Sequence, residues 1–68
     1  NDTDMTTTVK MAVMSHLSDA QQIISVDADL ANRHINFAKA LILKYKNLNQ
    51  EVTYRELDDL WYSETTNR

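Results

Sequence analysis

The chain contains no glycine, no proline and no cysteine in 68 residues. Glycine-rich phosphate loops, nucleophile elbows, thiol catalysis, disulfide frameworks and cysteine zinc sites all require one of these residues, so most catalytic signatures are excluded at once. Chains allot roughly 100 to 200 residues to a domain, so one small domain is expected, spanning residues 1–68. The longest uninterrupted apolar runs, Met11 to Met14 and Ala40 to Leu43, are four residues long. A bilayer span needs roughly 20, and no membrane association is expected. The N-terminal stretch carries Asp2 and Asp4 and has no apolar centre, so no cleavable signal is read there. With cysteine absent, a cytoplasmic location is the expectation.

Apolar periodicity carries the secondary-structure reading. Met5, Val9, Val13, Leu17, Ala20, Ile23 and Ile24 recur at three- and four-residue steps, which predicts an amphipathic helix over about 5–25. Its start is open, because Asp4, Thr6 and Thr7 are all candidate N-caps and Thr6 to Val9 is a β-branched run. Ser25-Val26-Asp27-Ala28-Asp29 offers short polar side chains and two acids for the start of a following helix, so a helix-to-helix turn is placed there. An unbroken helix would keep a similar phase from Leu17 to Tyr45, and the missing glycine leaves it as the alternative.

The second helix is predicted over about 28–48, with Ala31, His34, Ile35, Ala38, Leu41, Ile42, Tyr45 and Leu48 on its inner face. Residues 47–51 read as a connection. Thr53 and Glu56 then form a capping box, with Val52 and Leu57 at the staple positions, and predict a third helix over about 54–63. Tyr54, Leu57, Leu60 and Trp61 share its inner face, and the tail from Glu64 is expected to fray. The fold class expected is therefore all-α: an antiparallel helical hairpin closed by a short third helix.

The net charge of −3 is unevenly distributed. Residues 1–29 carry five acids and one base, residues 30–50 carry Arg33, Lys39, Lys44 and Lys46 with no acid, and residues 51–68 carry five acids and two bases. A basic segment between acidic flanks is expected to be neutralised by neighbouring helices, and the other reading is a basic surface that binds phosphates. The segment from Ala38 to Leu48 followed by Thr53-Tyr54-Arg55-Glu56-Leu57 resembles the opening of many helix-turn-helix domains. A recognition helix would have to follow it, and Glu56, Asp58 and Asp59 would repel phosphates if the third helix were the reader. Ala38, Lys39, Thr53, Tyr54, Glu56, Leu57 and Trp61 also resemble a pattern in the small cyanobacterial hairpin proteins that promote phycobilisome degradation. The spacings differ by two or three residues, and no functional residue is carried over.

The two histidines, His16 and His34, fall on or beside the apolar stripes. Antiparallel packing about residues 26–27 sets Asp19 opposite His34 and leaves the histidines within about one turn of each other. Such a cluster suits a transition metal or a pH switch, whereas a hydrogen-bonded pair at the core edge accounts for the same letters. The structural pair is the expectation, with no metal and no cofactor. Three short helices leave little room for a pocket of about 300 Å³, so no enzyme is expected.

Below roughly 70 to 80 residues a core usually needs a staple, and oligomerisation is the one that remains here. Ala40 and Leu43 fall far from the inner face of the second helix, Phe37 lies at its margin, and Tyr62 points away from Trp61. These four residues are the candidate interface. The function expected is a non-catalytic protein-interaction or regulatory module assembling as a dimeric helical bundle, with an unidentified protein partner. The alternative is a small nucleic-acid-associated protein working through Arg33, Lys39, Lys44 and Lys46.

Overall fold

The computed structural model describes residues 5–66, with side chains through Ser63. Element order is β1 (Thr6–Thr8), α1 (Val9–Ile23), α2 (Ala28–Lys44), β2 (Glu51–Thr53) and α3 (Tyr54–Thr66). Helices dominate, and a two-stranded antiparallel sheet pairs Thr6 with Thr53, Thr7 with Val52 and Thr8 with Glu51. The sheet corrects the all-α expectation. Three consecutive threonines are stiff at χ1 and suit an extended pleat better than a first helical turn, once a partner strand lies beside them. Asp4, one of the candidate caps, lies outside the described residues, as do residues 67–68, whereas residues 64–66, expected to fray, continue α3 to Thr66.

The strand moves the start of α1 from residue 5 to Val9, and Thr8 becomes the N-cap in place of Thr6 or Thr7. Its hydroxyl accepts a hydrogen bond from the Met11 amide at 3.2 Å. The Val9 and Lys10 amides donate to the Gln50 and Leu48 carbonyls, each at 2.9 Å. Three amides that a helix start leaves without intrahelical partners are thus satisfied by a cap and by the connection before β2.

The hairpin turn forms without glycine. Ile24 stays in right-handed helical geometry, the Val26 and Asp27 amides both donate to the Ile23 carbonyl, and none of the described residues takes a positive φ. Asp27 then breaks to φ −145° and caps α2, its carboxylate accepting from the Leu30 amide at 3.0 Å. Four residues short of the expected end, Tyr45 turns extended and α2 stops at Lys44. Tyr45 remains in the core while Leu48, expected on the inner face, is exposed. The Asn47 carboxamide oxygen accepts from the Asn49 amide, an Asx-type turn that sends the chain back toward β2.

The capping box of α3 forms as its letters indicate. The Glu56 amide donates to the Thr53 hydroxyl at 3.1 Å, and the Thr53 amide donates to the Glu56 carboxylate at 3.3 Å. Val52 and Leu57 are both buried in the same cluster, as a hydrophobic staple requires. Replacing Thr53 by Ala removes one acceptor and should lower stability by about 1 kcal/mol, read as a shift in the urea midpoint at constant slope.

The core gathers at the sheet end of the hairpin: Val9, Ala12, Val13, Phe37, Ala38, Leu41, Tyr45, Val52 and Leu57, with Leu60 and Trp61 packed against it. Both hairpin faces are rotated by roughly 30 to 40° from the periodicity reading, taking 100° per residue. Ala12 and Phe37 turn inward, whereas Leu17 and Ile42 turn out. The cause is α3, which lies against the side of the hairpin that Phe37 edges. At the turn end the buried apolar residues are two alanines, Ala20 and Ala31.

Candidate functional site

His16 stands one turn beyond Ala12 on the inner face of α1, and His34 stands three residues after Ala31 on the inner face of α2. Folding at residues 24–27 brings them into direct contact, with the two Nδ1 atoms 2.9 Å apart. One imidazole therefore donates and the other accepts. Trp61, one turn beyond Leu57, closes over both rings. Its ring centroid is 5.4 Å from that of His16 at an interplanar angle of 14°, and 4.8 Å from that of His34 at 29°. Phe37 meets His16 edge-on at 4.7 Å and Trp61 edge-on at 5.3 Å. Two further rings, Phe37 of α2 and Trp61 of α3, thus pack on the imidazoles.

Burial holds the His16 pKa below its ordinary value. The charge of a protonated His34 acts in the same direction, and Asp19 opposes both. The sign of the consequence follows from linkage. The unfolded chain takes up this proton near pH 6.5, its ordinary value, and the folded chain only at lower pH. The unfolded state therefore binds more protons below about pH 6.5, and stability falls with falling pH across that window. In chelator-treated protein, the urea midpoint should drop between about pH 7.5 and 5.5, and the drop should shrink in His16→Gln.

Asp19 follows His16 by three residues and shares its side of α1. One ligand atom from each of His16, Asp19 and His34 lies within 4.8 Å of the others. His34 meets His16, although the loop arithmetic set it opposite Asp19. Beside the cluster, α1 and α3 border an open groove of about 530 Å³, lined by residues that include Met11, Ser15, His16, Tyr54, Trp61 and Tyr62. The expectation that so short a chain leaves little room for such a space is corrected, because α3 crosses the hairpin on one side instead of filling it.

The four candidate interface residues are not brought together. Phe37 is 2% exposed and belongs to the core, which corrects its placement at a margin. Rotation of α2 toward α3 carries it inward. Ala40 is half-buried and Leu43 is 76% exposed, both on the side of α2 turned away from Leu41. Tyr62 is exposed and lines the groove. Arg33, Lys39, Lys44 and Lys46 are all exposed. Among the described residues the ion pair within 4.0 Å is Arg55 with Asp59, inside α3. Lys44 lies 5.7 Å from the ring centroid of Tyr45.

Comparison of the chain with protein-family models, with curated proteins and with solved structures gives no match. Neither resemblance read from the sequence therefore gains support. None of the helices is long and apolar enough to cross a membrane among the described residues. The sequence placed the histidines on inner faces but gave no sign that Trp61 would stack on both. The four-residue spacing from Leu57 put the indole on the inner face of α3 without indicating which helices it would meet.

Proposed function

We propose that this chain is a non-catalytic helical interaction module that works as a homodimer, each copy covering the turn end of the other's hairpin. One observation carries the reading: at that end the helices are held by Ala20 and Ala31, while Leu17, Ile24 and Val26 stand 45%, 54% and 86% exposed. Ile42 continues this apolar strip along the face of α2 away from Phe37, with half-buried Ile35 between. Among the described residues, eleven large apolar side chains are exposed. Single exposed apolar residues are ordinary, but a contiguous strip across two helices is a contact surface. A second hairpin laid on it completes a four-helix arrangement with an isologous interface.

Sedimentation of the full chain across the micromolar range tests the reading. A mass approaching twice 7.9 kDa is expected, reverting toward the monomer in Leu17→Lys. A mass of 7.9 kDa at every concentration would overturn it. The second reading, phosphate binding through α2, rests on the exposure of Arg33, Lys39, Lys44 and Lys46, none of which forms an ion pair among the described residues. Arg33 and Lys44 lie on a different side of the helix from Lys39, which weakens a single binding stripe. Retention on heparin at physiological salt, lost in a Lys44→Glu and Arg33→Glu pair, would favour that reading.

A further inference from the structure

We propose that His16, His34 and Asp19 form a binding site for one divalent transition-metal ion, of which zinc, nickel and copper are the fitting class. The site does not depend on self-association, because all three ligands come from one chain and two of them from one turn of α1.

The donor set decides the class of ion. Two imidazole nitrogens and one carboxylate oxygen suit borderline transition metals, whereas calcium and magnesium take oxygen ligands. Zinc binds nitrogen at roughly 2.0 to 2.1 Å, which puts two tetrahedral nitrogen ligands about 3.3 Å apart. The Nδ1 atoms of His16 and His34 already stand 2.9 Å apart across the helix interface, so a separation of a few tenths of an ångström, with both rings tilted in plane toward a common point, admits an ion beside the line that joins them. When the ring that donates shifts its proton from Nδ1 to Nε2, both imidazoles stay neutral and both Nδ1 atoms become acceptors, the state a ligand needs. Asp19 must move closer than its present 4.8 Å limit, and as an exposed side chain on the same side of α1 it has the freedom to do so.

Order in the surrounding rings supports the assignment. Metal-binding imidazoles gain affinity when neighbours fix their planes before the ion arrives. Here Trp61 is stacked on both imidazoles and Phe37 packs edge-on against His16. A site of three protein ligands also leaves one tetrahedral position for water or for a ligand. His16 lines the groove between α1 and α3, so that position has an approach from solvent.

The chain's single tryptophan lies on the proposed ligands and serves as the reporter. Full-length chain, stripped with a chelator and exchanged into metal-free buffer, is titrated with zinc chloride by calorimetry and with copper sulfate by Trp61 fluorescence. One ion per chain is expected, with saturable quenching by copper and no response to magnesium or calcium. Zinc at about 100 times its Kd should raise the folding equilibrium constant about 100-fold. His34→Gln and Asp19→Asn should each weaken binding by about tenfold or more, and Asp19, being exposed, can be changed without disturbing the core. Imidazole nitrogen resonances of the unsubstituted chain give an independent reading, with both Nδ1 signals shifting on zinc addition. Unshifted Nδ1 signals, affinity unchanged in both variants, or half an ion per chain would overturn the proposal.

Discussion

Phe37→Ala is expected to lower stability by about 3 to 5 kcal/mol, the largest effect of any single substitution in this chain. Phe37 is 2% exposed and touches both His16 and Trp61. Truncation removes its apolar area from the core and leaves a void where all three helices meet, and neighbouring backbones have little freedom to close it. Small domains hold only a few kcal/mol in reserve, so much of the population should unfold at 37 °C. Far-UV circular dichroism and the urea midpoint would measure the loss. A midpoint shift of less than about 1 kcal/mol would mean that α2 does not face inward through Phe37.

Trp61→Ala should follow, at about 3 kcal/mol, the lower end of the range for aromatic truncation because the indole is only partly buried. Its loss has a second consequence that Phe37→Ala does not share so directly. The indole is the part of α3 that stacks on both histidines, so without it α3 keeps its capping box, its staple and the Leu60 contact but loses its ring contacts with the hairpin beyond Leu57. Amide exchange should therefore quicken selectively in the C-terminal half of α3, with α1 and α2 protected. Uniform quickening across all three helices would show that α3 and the hairpin open as one unit.

These features differ in how far the letters reveal them. The capping box of α3 links Thr53 to Glu56 and the cap of α2 links Asp27 to Leu30, each across three residues, and local chemistry of that kind is written in the sequence. The sheet is not local, since Thr6 and Glu51 meet across 45 residues. The β-branched run at Thr6 is visible in the letters, but its partner, Glu51–Thr53, reads there as the end of a connection and the cap and staple of the third helix. Phase errors on α1 and α2 have one origin. Hydropathy alone places the stripe midway between apolar edges, and the position of α3 decides which edge is covered. That choice buried Phe37 and exposed Ile42. The histidine pair was legible as a proximity, because the turn position fixes which residues face each other, whereas the Nδ1 contact and the indole above it depend on rotamers and on α3.

Self-association through the uncovered hairpin face is the central claim, and intermolecular NMR contacts test it most directly. A mixed sample of isotope-labelled and unlabelled chain, filtered for contacts between copies, should show methyl contacts among Leu17, Ile24, Ile35 and Ile42 across the two-fold axis. Filtered spectra empty of contacts at millimolar concentration, or contacts confined to Tyr54, Tyr62 and the groove side of α3, would contradict it.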